Sequence, residues 1–357
     1  MTGEPRTSFK RVLWTVFAGL FLSVACAKPR LLPLGSPFPP VSRWEKPLDA
    51  PLGAPLATDG TLVFAALSTG PVLAIDPTSG TTLWTRSGVK PGFAVARPGF
   101  LVFVERGGVV WGINAQDGTA QWKTTTRVAD VQTVRLDGNR VFLGGASGLA
   151  ALVVSTGEVR FDLDARDVRD LDAAGDRLAT LEEGALMVRN REDGSIRYRL
   201  ASPEGEFGAP ALFTDGRVVL GSGSRLVRAV SPAGSFKWRF KVGARVKDRP
   251  LDYLDGKRVG VLSFEGVFYE VSQGGDMRKR ALLSSRPFGP ALFGAGRIWA
   301  PIFEDEIVAI DPKTTKVLGR ARFGGSFLSP PILVAGRLLA EVSGPRRIVA
   351  LETAPLT

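Results

Sequence analysis

The stretch AIDPTSGTTLW, Ala74–Trp84, has a near copy in AIDPKTTKVLG, Ala309–Gly319, 235 residues further on (309 minus 74). A phrase written twice points to a repeat, and the glycines that precede hydrophobic runs supply its period. Gly60, Gly99, Gly138, Gly175, Gly216, Gly256, Gly296 and Gly336 follow one another at intervals of 37 to 41 residues. The chain after its first forty residues is therefore read as eight units of about forty residues each, the period of a solenoid or propeller array.

Each unit carries the same sequence of features. A segment opening on small residues or Pro, such as Gly53-Ala54-Pro55 or Gly208-Ala209-Pro210, leads to a tight turn, often Asp-Gly as at Asp59-Gly60 and Asp215-Gly216. An Asp-Gly pair accepts the positive φ that a hairpin turn demands. A strongly apolar run follows, for example Leu62 to Leu67, then a third run such as Val72 to Asp76, a polar turn, and a fourth run bearing an aromatic. Short runs of this kind without helical periodicity predict strands. Four strands in each of eight units predict an all-β, eight-bladed β-propeller of four-stranded antiparallel blades.

The aromatics keep a second count. Gly is followed four residues later by an aromatic at Gly80–Trp84, Gly118–Trp122, Gly157–Phe161, Gly194–Tyr198 and Gly234–Trp238, and Trp44 lies 40 residues before Trp84, in phase with the series. These six aromatics, Trp44, Trp84, Trp122, Phe161, Tyr198 and Trp238, are expected to pack the blades. The last unit ends near Thr357 after three strands, so the segment Val41 to Leu48 is expected to supply its outer strand and close the ring. Such closure removes the exposed edges between first and last blades.

Ahead of the array, Arg6, Lys10 and Arg11 precede an apolar run from Val12 to Ala25, 14 residues that suit an export signal better than a membrane span of about 20. Residues 1–25 are read as that signal, 26–40 as a Pro-rich tether and 41–357 as the propeller. The run ends at Ser23-Val24-Ala25 directly before Cys26, the chain's one cysteine. This resembles the lipobox of bacterial lipoproteins, which implies a covalent lipid on Cys26, although Ser23 stands where that family usually has Leu. Ordinary cleavage within Ser23–Ala27 and an uncleaved anchor are the alternatives.

The composition narrows the chemistry. His is absent, so no Ser-His-Asp or Cys-His pair and no His-ligated metal can form, and one Cys allows neither an intrachain disulfide nor a Cys-rich zinc site. Net charge is +11, and +9 once Arg6, Lys10, Arg11 and Glu4 leave with the signal. The basic residues form no block of five, which reads as solvated loops and strand edges rather than a nucleic-acid site. Glu304-Asp305-Glu306 and Asp164 with Asp167 are the acidic groups with oxygen ligands for calcium. Glu304–Glu306 stands where other units place a hairpin turn, and that is how it is read; no catalytic, cofactor or metal residue is assigned.

Units of this form resemble the pyrroloquinoline-quinone-type propeller repeat, over about residues 41 to 357. Some relatives of that repeat are quinone-dependent dehydrogenases with a calcium ion and an adjacent-cysteine disulfide. This chain has neither the cysteine pair nor long insertions between its units. In layout it is closer to the BamB-type outer-membrane assembly lipoprotein, a lipid-anchored eight-bladed propeller. That resemblance implies a non-enzymatic, monomeric scaffold at the periplasmic face of the outer membrane, docking protein partners in the β-barrel assembly machinery. A propeller with another envelope binding role is the alternative, with a dehydrogenase behind it. Arg199 to Phe207 corresponds roughly to the docking region of that family, and its plainer reading is a connector between blades.

Overall fold

A computed structural model describes residues 43–353 apart from 91, 203–205, 255 and 304. The signal, Cys26, the tether and the last four residues lie outside the described residues. Every element within them is a strand, and the strands form eight antiparallel sheets in chain order. We number these as blades 1 to 8: residues 57–86, 92–125, 129–166, 168–200, 211–241, 251–282, 292–322, and 332–352 joined by 43–47. In blade 3 the second and third strands run together as Arg140–Val153, whose first half pairs with Ala129–Asp137 and second half with Val159–Arg166. The protein is thus an eight-bladed propeller of four-stranded blades.

Blade 8 is closed as the sequence predicts. Arg43–Pro47 pairs antiparallel with Arg347–Glu352, in the register Trp44 opposite Ala350 and Glu45 opposite Val349. Glu45 ion-pairs with Arg347 at 2.8 Å, and the backbone N–H of Leu52 donates to Glu341 at 3.1 Å across the seam into blade 1.

The core lies between blades rather than within them. Eight hydrophobic clusters each join one blade to the next, and one of them spans the seam, with Val63, Ala65 and Ile75 of blade 1 against Leu339, Ile348 and Ala350 of blade 8. Second strands are buried on both faces, as at Val63–Ala66 and Arg297–Ile302, because each is covered by a neighbouring blade on either side. Fourth strands alternate with solvent, as at Thr82–Arg86. All eight glycines of the first count sit in the left-handed region, with φ between 56° and 96°. Because the strands alternate in direction, connectors between blades share one face of the ring with the second-to-third turns. The first-to-second and third-to-fourth turns occupy the other face.

The repeated phrase is a capped turn. Asp76 accepts the backbone N–H groups of Thr78 at 2.6 Å and Ser79 at 3.1 Å, and Gly80 N–H returns to the Asp76 carbonyl at 2.9 Å. Asp311 repeats this with Lys313 and Thr314, both at 2.7 Å, and with Thr315 N–H at 2.8 Å. Side-chain oxygens that accept from the backbone two residues on stabilise such Asx turns. The same bonds, chiefly those from Thr78 and from Thr314, hold the two carboxyls below their usual range.

The aromatics join neighbouring blades. In blades 1 to 7 the fourth strand slips by a residue just before this position: Ala74 pairs with Trp84 and Ile75 with Thr82, leaving Leu83 out, and the slip recurs at the matching point of blades 2 to 7, whereas Trp44 of blade 8 sits in an unbroken register. A bulge re-aims the side chain beside it. Trp84 reaches the third-to-fourth turn of blade 2, where its indole N–H donates to Ala115 O at 3.0 Å. Its ring lies against Gly118, where a methyl would come within 2.8 Å. Trp44 does the same at Pro77 and Gly80, Trp122 at Val154 and Gly157, and Trp238 at Gln273 and Gly275. Tyr198 uses its hydroxyl on Ser231 O at 3.3 Å beside Gly234, while Phe161 packs near Gly194 with Leu163.

Two blades lack the aromatic. In blade 6 its place is taken by Lys279, whose ammonium donates to Lys313 O at 2.5 Å, and the receiving turn carries Thr315 instead of glycine, at φ 58°. The Thr315 hydroxyl donates to buried Glu270, the residue directly opposite Lys279, at 2.7 Å. Blade 7 has Gly319 there, and the next blade has no third-to-fourth turn to receive a ring, because its third strand, Arg347–Glu352, and its fourth, Arg43–Pro47, come from opposite ends of the described residues.

Substituting Gly118→Ala puts a side chain into the left-handed region and into Trp84. We expect a loss of about 3 kcal/mol in urea unfolding, combining backbone strain and overpacking. Gly88→Ala is the control: it shares the positive φ but meets nothing within 4 Å, so its loss should be about 1–2 kcal/mol. Equal losses would remove the ring contact from the account.

Candidate docking site at the channel mouth

The first strands of blades 3 to 7 converge on an axial cavity of about 630 Å³. Blades 5 and 7 line it with small or apolar residues, whereas blades 3, 4 and 6 bring charge there through Arg135, Asp170 with Asp172, and Asp252. Counted back from the turn glycine, Asp170 stands where blade 1 has Pro55, and Arg135 and Asp172 where it has Ala57.

These charges assemble with Arg249 from the blade 5–6 connector. Asp172 accepts from Arg135 Nε at 3.0 Å, from Arg249 Nη1 at 3.3 Å and from the backbone N–H of Leu212 at 2.9 Å. Arg249 Nη2 donates to Asp170 at 2.8 Å and to Leu171 O at 2.9 Å. One network therefore ties blades 3, 4 and 5 to the connector beyond. Burial pushes the Asp170 carboxyl up, against the pull of Arg249. Burial and then the proximity of Arg249 lower the Arg135 guanidinium.

On the connector face this network opens into a cleft of about 260 Å³ between blades 4 and 5, lined by Arg169, Leu181, Glu206, Phe207 and Lys247 among others. Arg169 ion-pairs with Asp167 at 2.8 Å and with Glu206 at 3.3 Å, and all three are solvent-accessible. Phe207 is held by a bridge to Ser222. Burial raises the neighbouring Asp248 carboxyl, with Lys247 opposing. The arrangement offers an apolar floor, mixed charges at the rim and a braced wall behind, which suits recognition of a partner surface.

The residues singled out in the sequence are distributed as follows. Trp44, Trp84, Trp122, Phe161, Tyr198 and Trp238 lie at blade junctions, and Tyr198 packs against the cluster that includes Leu181 and Phe207 of the cleft. Of Arg199 to Phe207, Arg199 and Leu200 end the fourth strand of blade 4, residues 203–205 lie outside the described residues, and Glu206 and Phe207 line the cleft. Asp167 is the rim partner of Arg169, whereas Asp164 borders a separate cavity with Arg127 and Arg166. Glu306 is buried and ion-paired with Arg320 at 3.2 Å and Arg322 at 2.7 Å, and Asp305 caps Gly324 N–H at 3.0 Å. Glu304 and Cys26 lie outside the described residues. Among the described residues no three His, Cys, Asp or Glu side chains converge as metal ligands would. The network of Arg135, Asp170, Asp172 and Arg249 was not foreseen. Its signal was charge on the first strands of blades 3 and 4 where blades 5 and 7 carry small or apolar residues.

Comparison with known proteins follows the same repeats. The family described as "Outer membrane protein assembly factor BamB" matches residues 41–170. A Yersinia pestis protein of that name is 25% identical over 281 residues, which is 71% of this chain; the match spans 62% of the relative's length, less than two thirds of it. The structure of BamB from Moraxella catarrhalis superposes with TM-score 0.65 at 12% identity, covering 87% of this chain and 98% of that one. A computationally designed protein superposes with TM-score 0.74 at 14% identity, covering 86% and 100%. At such identities the structural likeness shows the fold alone. The chain is a BamB-like propeller of pyrroloquinoline-quinone-type repeats.

Replacing Asp172 by Ala would leave Arg135, Arg249 and the Leu212 N–H without their shared acceptor. Removing one partner of a largely buried pair costs about 3 kcal/mol. Urea unfolding of Asp172→Ala should show a loss of that size. An unchanged midpoint would mean that solvent replaces the carboxylate and that the wall is not braced.

Proposed function

We propose that the protein is a non-enzymatic scaffold of the bacterial envelope, a BamB-like factor that docks protein partners during assembly of outer-membrane proteins. The observation that carries this reading is the match of its repeats, over 281 residues, to a protein named for that role. The cleft between blades 4 and 5 is where we seat the partner. It combines accessible charges of both signs with the apolar Phe207 and Leu181, and the ion-paired wall behind it holds that geometry without reorganisation on binding. Lipid on Cys26 would tether the propeller to the membrane, leaving the tether of residues 26–40 to set its reach.

A photo-cross-linking residue placed at Glu206 tests the docking site in intact cells. We expect covalent capture of subunits of the β-barrel assembly machinery, and Arg169→Glu should reduce that capture several-fold without lowering protein abundance. Capture of the same subunits from position 196 on the outer strand of blade 4, and none from Glu206, would move the site elsewhere. Failure to capture any of these subunits from either position would count against the assembly role itself.

A further inference from the structure

Five second-to-third turns share one backbone contact with the connector that precedes their blade. Ser68 N–H donates to Pro51 O, Gly223 to Glu206, Phe264 to Arg245, Phe303 to Arg286 and Ser343 to Ser326, at 2.7 to 3.2 Å. The fold therefore requires no particular side chain at these positions. Blades 6 and 7 nevertheless carry Phe on the turn and Arg on the connector. The Arg245 guanidinium lies over the Phe264 ring at 4.5 Å, and Arg286 lies over both Phe264 at 5.4 Å and Phe303 at 4.4 Å. The result is a row of alternating guanidinium and ring on the connector face. Beyond Phe303 it continues into Phe288 and Phe327, with ring centroids 5.3 and 5.5 Å apart along the row.

Both arginines are exposed, and among the described residues neither has a carboxylate partner. Among the described residues the acidic groups of these turns are already engaged: Glu265 accepts from the Tyr269 hydroxyl at 2.5 Å and Gly243 N–H at 3.0 Å, and Asp305 from Gly324 N–H. A guanidinium with its face on a ring keeps its edge free, and that edge is a planar fork matched to a carboxylate. Stacking also fixes the fork's orientation before any ligand arrives. The two guanidinium carbons are at most about 10 Å apart, since 4.5 and 5.4 Å separate them from one ring centroid. Alternate residues of an extended chain lie on one side, about 7 Å apart. Their carboxylates span the two forks, while the rings of Phe303 and Phe288 take an adjacent apolar residue.

We infer that this row is a second docking surface, for an extended acidic polypeptide segment with carboxylates two residues apart. It is separate from the blade 4–5 cleft and does not rest on the assembly reading. The test is fluorescence anisotropy of the full chain with a labelled eleven-residue peptide bearing Glu at alternate positions and a flanking Leu. The comparison peptide has Gln at each Glu. We expect the Glu peptide to bind and the Gln peptide not to. The double variant Arg245→Gln, Arg286→Gln should weaken binding about tenfold, as expected for two exposed charge pairs. The charge-matched control Lys237→Gln, Lys241→Gln, on the outer strand of blade 5, should change it less than twofold. Arg245→Lys, Arg286→Lys keeps the charge without the fork and should fall between; thermal melting confirms that each variant is folded. Equal losses in the arginine and lysine variants would reduce the effect to diffuse charge and overturn the proposal. So would no binding of the Glu peptide, or arginine-dependent binding to phosphatidylglycerol vesicles in its place.

Discussion

The contact on which the ring depends is an aromatic side chain seated on the glycine of its neighbour's turn. A propeller blade is a small twisted sheet, too narrow to bury its own apolar faces, and it is stable only when sandwiched by two others. The clusters between blades supply the buried area, but non-directional packing alone leaves neighbouring sheets free to slide. The indole N–H donating to a carbonyl of the next blade, as from Trp84 to Ala115, adds direction. The glycine beneath the ring permits both the turn and the close approach. In blades 1 to 5 a one-residue slip before the aromatic turns the side chain out of its own sheet towards the next.

The two places where this device is missing follow from the same constraint. No turn faces Gly319, because the third and fourth strands of the neighbouring blade come from opposite ends of the described residues. At Lys279 the ring and its glycine are replaced together: an ammonium on a carbonyl stands for the indole, and Thr315 bound to Glu270 stands for the glycine. That correlated exchange is what a shared contact between blades requires. Blade 8, which receives no ring, sends one out through Trp44, so the seam is bound to blade 1 like most junctions.

The period, the blade count and the closing strand were legible because turn glycines and strand aromatics are local demands repeated eight and six times. The pairing of aromatic with glycine was only half legible. Gly80 and Trp84 stand four residues apart in the sequence, yet Trp84 packs on Gly118 and Gly80 receives Trp44. Spacing within a unit marks the two positions but does not say which unit each one meets. The channel network was less visible still, since Arg135, Asp172 and Arg249 lie as much as 79 residues from their partners and meet only when three blades close around an axis. The Arg–Phe row was hidden for a similar reason: Arg245 and Phe264 belong to a connector and a turn, and the pair recurs at the blade period only once, as Arg286 and Phe303.

If the ring is held by contacts from blade to blade and closed at Trp44, it should open as a unit. Hydrogen exchange followed by mass spectrometry on Trp44→Ala measures this most directly. The account predicts that protection falls in second and third strands all around the ring, including those of blades 4 and 5 opposite the seam. Loss of protection confined to blades 8 and 1, with blades 4 and 5 exchanging as in the parent, would contradict it.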